Sequence, residues 1–407
     1  MNVTGVIVEY NPLHNGHVYH LEMTKKITGC DYVIGVMSGN FVQRGEPALI
    51  NKWSRAEAAL KAGVDLLIEL PVIYSISSAE GFAFGAISIL SNTKIVDNIC
   101  FGSEYGSLDK LKIIAEILTE EPDDYKSMLQ KYLKFGLSYP SARQNALIDY
   151  LLSFKNPMFE KNEIEDILLN SNNILAIEYL KSINKLSSNI KPYSIKRIVN
   201  KYNEPKITGP ISSATSIRKN INNFDEIRKS IPIYSEQIIK REIESGRGPV
   251  FIDDLSDLIF YKLRNSDISF IKDLIDVGEG LENRIKLASE NSTNVHELIQ
   301  NIKNKRYTST RIQRILINAL LGITKDVANK IQSSANYIRI LGFNDNGKKL
   351  IREIKQRCTL PVITNPSPKD MDLLKYDINA TDIYVLAYKN HEFKKAKQDL
   401  LTPPVII

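Results

Sequence analysis

The chain has 407 residues, enough for two or three domains with sizeable cores. Its 43% hydrophobic and 25% charged content excludes a disordered chain, and no apolar run approaches a membrane span. The formal charge, 53 − 47 = +6, is too mild to imply nucleic acid by itself. Three widely spaced cysteines, Cys30, Cys100 and Cys358, exclude a disulfide scaffold or a structural zinc site and read as core thiols in a reducing compartment. With no signal-peptide pattern at the N-terminus, a cytoplasmic protein without a membrane partner is expected.

Val3 to Val8 reads as a buried strand, broken by a turn at Asn11-Pro12. His14-Asn15-Gly16-His17 follows, and Val18 to Lys26 reads as the start of a helix. Two imidazoles thus flank a glycine where the first strand hands over to the first helix. Backbone N–H groups and the helix dipole favour an anion there. A spacing of three puts His14 and His17 on one helical face, and Gly16 leaves room for a base or phosphate close to the backbone. In this setting His-x-Gly-His predicts an adenylyl-transferring enzyme. Its imidazoles would donate to the charge that builds on the α-phosphate of ATP.

Asp31 to Ser38 reads as a second strand, at the pace of a β-α-β unit. The polar loop Gly39 to Pro47 then lies on the same rim as the histidines, either as a surface loop or with Gln43 and Arg44 on the substrate side. Lys52 to Ala62 is a helix carrying the only tryptophan, Trp53, read as packing. Asp65 to Leu70 is a third strand, Ser77 to Leu90 an apolar helix and Val96 to Phe101 a fourth strand. Gly102 follows, either as a simple strand-terminal glycine or as a backbone contact to ribose or phosphate. The alternation predicts an α/β fold with a parallel sheet and right-handed crossovers.

Leu108 to Leu152 reads as helices without strands, a helical insertion or layer. Ser171 and Asn172 open another helix with N-cap chemistry, and Asn172 could also read an adenine or ribose edge. Pro192 to Ile198 looks like a fifth strand, followed by a turn at Gly209-Pro210. Ile211 to Lys219 then gathers hydroxyls, Ser213 and Thr215 among them, with Arg218 and Lys219 one turn on. This is either a second phosphate site or an ordinary capped helix. Between Tyr179 and Asn220 stand nine basic residues (Lys181, Lys185, Lys191, Lys196, Arg197, Lys201, Lys206, Arg218, Lys219) and one acid, Glu204.

Gly246 to Pro249 marks a boundary region, and the chain beyond is mainly helical: Leu255 to Arg264, Leu281 to Ser289, Val295 to Lys303, Thr310 to Leu321. Lys303, Lys305, Arg306, Arg311 and Arg314 surround Tyr307 with no acid between them. A solvated helix face or a nucleic-acid backbone site would both explain them. Tyr337 to Leu341 and Leu360 to Thr364 could be two short strands around a helix.

Five of these stretches together resemble the bacterial tRNA(Met) cytidine acetate ligase family. They are Glu9 to His17, Gly39 to Pro47, Asn172 to Tyr179, Ser212 to Arg218, and Lys305 to Arg311. The likeness runs from the N-terminus to about Leu321, with Leu13 and Ala176 as mild departures from the family's pattern. It implies a parallel-sheet, Rossmann-like nucleotidyltransferase domain of HUP type over residues 1–222. A mainly α-helical C-terminal domain over 223–407 would be the candidate tRNA-binding part. It implies that ATP and acetate form acetyl-adenylate, and that the acetyl group passes to N4 of the wobble cytidine in elongator tRNA(Met). Mg2+ is expected with ATP, held by phosphates rather than by protein ligands.

Carried onto this sequence, the resemblance puts ATP on Ile7, Val8, Glu9, Tyr10, Asn11, Pro12, Leu13, His14, Asn15, Gly16, His17, Val18, Tyr19 and His20, then on Gly102, Asn172 and Arg197. His14 and His17 would stabilise the α-phosphate in the transition state, and Arg218 the departing phosphates, with Ser213 and Thr215 beside it. Two other readings stay open. A small-molecule adenylyltransferase would share the motifs without needing the helical remainder. A non-catalytic RNA-binding protein on the same fold would not need an intact His14-x-Gly16-His17.

Overall fold

The computed structural model describes every residue except 138, 155–157, 198–210 and 332–334. The expected Gly209-Pro210 turn, Ile198, Lys201, Glu204 and Lys206 lie outside the described residues.

The first third of the chain winds as the apolar runs dictate: β1 (Val3–Val8), α1 (Asn15–Thr28), β2 (Tyr32–Ser38), the hairpin strands β3 (Phe41–Val42) and β4 (Glu46–Pro47), α2 (Lys52–Lys61), β5 (Leu66–Leu70), the short α3 (Val72–Ser75), α4 (Ala79–Asn92) and β6 (Asn98–Ser103). The expected helix Ser77 to Leu90 is α4, capped by Ser78, and the short α3 after Pro71 precedes it. Gly102 lies inside β6, one residue before its end. Five helices follow: α5 (Leu108–Glu120), α6 (Asp123–Lys134), α7 (Tyr139–Leu152), α8 (Lys161–Leu169) and α9 (Ser171–Lys185). The chain then forms β7 (Lys191–Lys196), α10 (Ala214–Lys219), α11 (Phe224–Ile227) and α12 (Ile233–Glu244).

The strands stand in the order β5-β2-β1-β6-β7, all parallel. The chain builds outward from β1 on one side, then crosses to β6 and β7 on the other. This reversal beside β1 is a topological switch point, where the crevice at the strands' carboxyl ends receives ligands. Helices cover both faces, so β1, β2 and β5 are buried almost throughout. Leu21, Ala56, Ala59, Ile217 and Ile239 pack on one face, and Phe82, Ile87, Ile114 and Ile177 on the other.

A second apolar core belongs to α13 (Ser256–Asn265), α14 (Ile268–Asp273), α15 (Leu281–Asn291), α16 (Val295–Ile302) and α17 (Ser309–Leu321), followed by α18 (Lys325–Ile331). Phe41 of the hairpin, with Val72 and Ile73 of α3, inserts into this helical core. The Gly39 to Pro47 stretch is therefore no surface loop: Asn40, Phe41 and Val42 are buried, and it fastens the two cores together.

The chain then returns to the sheet through β8 (Ile338–Phe343), α19 (Asp345–Arg357), β9 (Val362–Ile363), α20 (Lys375–Tyr384), α21 (Gln398–Leu401) and β10 (Val405–Ile406). β8 pairs antiparallel with β5, and β9 and β10 pair with β8. Residues 223–407 are thus mainly helical but also supply three strands to the first unit's sheet. Below β5 the Lys52 ammonium sits 2.7 Å from Glu69 and 2.6 Å from Asp399, all buried. This ion cluster ties the last helix to the sheet. All three cysteines are free; Cys100 is buried, and Cys30 and Cys358 are partly buried against the apolar cores.

Candidate active site

A cavity of about 320 Å³ opens at the switch point, lined by β1, α1, the β3–β4 hairpin, β6, α9, β7 and α10. Ile7, Val8, Glu9, Tyr10, Asn11, His14, Gly16, His17, Tyr19 and His20 all line it, as do Gly102, Asn172, Arg197, Ser213, Thr215 and Arg218. Among the predicted ATP residues, four face elsewhere. Pro12 follows a cis peptide bond at the turn. Leu13 is buried in the sheet core, with Val18 packed against it. The Asn15 side chain donates to the Lys229 carbonyl.

The two motif histidines are locked by the backbone. His14 caps α1, its Nδ1 accepting from the Gly16 N–H at 3.1 Å, while the His17 Nδ1 accepts from the His14 N–H at 3.3 Å. The rings stack with centroids 3.7 Å apart, and Tyr10 meets His17 edge-on at 5.0 Å. Burial and then the Arg197 and Arg218 charges press His14 down to about 3. Burial and the neighbouring His14 and Arg197 hold His17 well below the usual imidazole range, and His20 falls to about 4 through burial and Arg197. Both motif rings are therefore neutral near pH 7. With each Nδ1 engaged as an acceptor, the ring proton is assigned to Nε2, so each offers an N–H donor.

Cations gather around this pair. Arg218 donates to the Asn11 carbonyl at 2.8 Å and stands 3.5 Å from Glu46. Arg197 donates to the Asn172 side-chain oxygen at 3.2 Å, and Asn172 in turn donates to Glu104 at 2.5 Å. Asn172 thus seats Arg197 beside Gly102, where an added Cβ would come within 3.1 Å of the arginine stem. The α9 N-terminus is not capped as the sequence suggests: the Asn170 side chain makes no cap bond, and Glu104 accepts from the Asn173 N–H at 3.0 Å. At α10 the Ser213 hydroxyl caps the helix by accepting from the Ser216 N–H at 3.1 Å, and Lys219 points to solvent while Thr215 and Arg218 face the cavity.

Sequence reasoning singled out Gln43 and Arg44, and both line the cavity. It missed Lys196, Tyr179, Phe82 and Phe101, which lie on framework strands and helices. It also missed Arg55. This buried guanidinium donates to the carbonyls of Glu9 at 2.6 Å, Ser38 at 3.0 Å and Ile50 at 3.2 Å, and also to that of Gly39. Arg55 pins the ends of β1 and β2 to the hairpin. Its signal was an arginine inside an alanine-rich helix.

The basic segment stands apart. Lys303, Lys305 and Arg306 are exposed, Arg306 pairing with Glu279. Arg311 stacks over Tyr307 and donates to the Asp276 carbonyl at 2.9 Å, and Arg314 lies 3.6 Å from the Asp276 carboxylate. Tyr307 is only 7% exposed and its hydroxyl donates to the Gly278 carbonyl, so this aromatic belongs to the helical core rather than to a base-stacking platform. Gly45 presses on the α17 backbone, and Glu46 accepts from Gln313 at 3.2 Å, so the segment's helix touches the cavity's rim.

A parallel sheet with two histidines at the first strand–helix corner defines a nucleotidyltransferase of the HIGH class, and the HIGH Nucleotidyl Transferase family matches residues 1–399. Within that class the chain belongs to the tRNA(Met) cytidine acetate ligases. Proteins of that name are 49% identical in Thermoanaerobacter sp. (strain X514), over 96% of both chains, and 47% identical in Acetivibrio thermocellus, over the full length of both. The crystal structure of apo Thermotoga maritima TmcAL superposes with a TM-score of 0.95, and the form bound with alpha-thio ATP with 0.93, each 36% identical over both whole chains.

Proposed function

We propose that this enzyme activates acetate with ATP and transfers the acetyl group to N4 of the wobble cytidine of elongator tRNA(Met). One observation carries the reading: two neutral imidazole donors, locked by backbone N–H groups, share one cavity with Arg197 and Arg218. Acetate is a poor acyl donor, so its carboxylate attacks the α-phosphorus and pyrophosphate leaves. His14 and His17 donate to the oxygens of the α-phosphate as charge develops, and Arg218 follows the departing phosphates. The cytidine amine then attacks the acetyl carbon and AMP departs. An anticodon-loop base is single-stranded, so swinging it into the cavity costs little.

Of the predicted RNA contacts, Lys303, Lys305 and Arg306 reach solvent and would meet phosphates, while Arg311 and Arg314 are engaged by Asp276. Among the described residues no group of three His, Cys, Asp or Glu is placed to hold a metal. A magnesium ion carried by the triphosphate would neutralise phosphate charge. No described helix is long and apolar enough to cross a membrane, and a cytoplasmic site of action fits a tRNA substrate.

The test is incubation with ATP and radiolabelled acetate, with and without tRNA, followed by nucleoside mass spectrometry. Acetylcytidine in elongator tRNA(Met) is the expected outcome. Pyrophosphate release on another acceptor with unlabelled tRNA would replace the reading by a small-molecule adenylyltransferase. No ATP turnover would leave an RNA-binding protein.

A further inference from the structure

We propose that Glu9 is the general base of the acetyl-transfer step, accepting a proton from the cytidine N4 amine as that amine attacks the acetyl carbon. The inference rests on the acetate-ligase reading above. Glu9 is the only acidic residue among the described residues that line the cavity, against Arg44, Lys196, Arg197 and Arg218. A carboxylate beside a triphosphate site repels the ligand, so its presence calls for a task.

The alternatives for that task are occupied. His14 and His17 each use Nδ1 to accept from a backbone N–H and hold their proton on Nε2, so neither has a nitrogen free to take another. The His20 Nε2 is sealed from solvent. Glu9 differs. Its Oε1 accepts from the Gln43 N–H at 2.7 Å and from the Ser38 hydroxyl at 3.4 Å. Its Oε2 makes no hydrogen bond among the described residues and is not sealed from solvent. Arg55 holds the Glu9 carbonyl at 2.6 Å, so the carboxylate stands on a rigid backbone. The charged and titratable groups facing it are Arg218 from α10, Arg44 from the hairpin, Arg55 from α2 and Tyr179 from α9. Burial outweighs the three arginines and lifts the Glu9 carboxyl above its usual range, toward the pH at which a base works best.

A carboxylate is also the side chain that accepts from a cytosine N4–H. In the step, the N4–C bond forms and the C–O bond to AMP breaks, AMP keeping the electron pair. The N4 proton passes to Glu9 Oε2 and then to solvent once AMP has gone.

The experiment uses the full chain, ATP, labelled acetate and an elongator tRNA(Met) transcript. It compares acetate-dependent ATP–pyrophosphate exchange with single-turnover acetyl transfer for the wild type and Glu9→Gln. The carboxamide oxygen still accepts from Gln43 but cannot take a proton at neutral pH. Transfer should fall about 10²- to 10⁴-fold further than exchange. The wild-type transfer rate should rise with pH along a limb lying above the usual carboxylate range, and that limb should be missing in Glu9→Gln. Equal losses in both half-reactions, no loss in transfer, or a limb that persists in the variant would overturn the assignment. So would a flat wild-type profile, which needs no variant to fold. A wild type that makes no acetyl-adenylate would sink the acetate-ligase reading itself; acetyl transfer at the same rate by both proteins would sink only the base.

Discussion

The nucleotide cavity and the basic segment at residues 303–314 are both candidate anion sites, and they are built in opposite ways. In the cavity the polar groups are oriented before any ligand arrives: both motif imidazoles are tied to backbone N–H groups, and Arg218 to the Asn11 carbonyl. In the segment, Lys303 and Lys305 extend into solvent and Arg306 holds only an exposed partner. Preorganised donors matter most where charge develops within a transition state. Flexible exposed cations suit a long polyanion that is bound mainly through its counterions. The hairpin lies between the two, with Glu46 reaching both Arg218 and Gln313.

The largest expected effect strikes the preorganised side alone. His14→Ala or His17→Ala should lower kcat about 10²- to 10³-fold, as losing one oxyanion-type donor does. tRNA affinity measured by filter binding should be unchanged; a parallel loss of tRNA affinity would break the contrast. Next comes the joint. Gly45 has φ +74°, and a Cβ there would lie 2.3 Å from the Arg314 backbone nitrogen. Gly45→Ala should therefore cost roughly 1–3 kcal/mol in urea unfolding and loosen both regions together.

On the exposed side, the Lys305→Ala/Arg306→Ala pair should weaken tRNA binding with adenylate formation intact. Its log–log salt slope should become shallower by about one for each phosphate that is no longer neutralised. Arg311→Gln should disturb stability more than the salt slope, because its guanidinium already stacks on Tyr307 and donates to the Asp276 carbonyl. An unchanged affinity in the Lys305/Arg306 variant would reduce the segment to a solvated face.

The smallest effect is the contribution of the cavity histidines to the pH dependence of stability. His14 and His20 titrate at about 3 and about 4 in the folded protein, against about 6.5 unfolded. Below that unfolded value the denatured chain binds protons that the native rings refuse, so stability falls as pH drops from about 6.5 toward 4. Urea midpoints at about pH 7 and about pH 5.5 should show the loss, and His20→Gln should make it smaller.

Much of the site was legible because its signals are local. The apolar run of β1, the turn at Asn11-Pro12 and the histidine spacing each act within a few residues, and ten of the fourteen residues from Ile7 to His20 line the cavity. Of the other four, Asn15 and Val18 lie on α1, where each successive residue turns by about 100° and a continuous stretch cannot all face one ligand, while Pro12 and Leu13 belong to the turn before it. Local patterning also showed the short strands near Tyr337 and Leu360, but not where they would pair. The hydroxyl of Ser213 and the amide of Asn172 both line the cavity, and packing also gives each a neighbour to hold.

By itself the sequence determined the order of strands and helices, the glycine-spaced histidine pair at their first corner and the family to which these belong. Tertiary structure alone decided that β8 would close the sheet beside β5, that Tyr307 would be buried, that Arg55 would clamp two strand ends, and that one Glu9 oxygen would stay open while the other was latched. The first set follows from interactions between residues a turn or a strand apart. The second depends on which distant surfaces meet, and hydrophobic burial, having no direction of its own, leaves that choice to the shape of the whole fold.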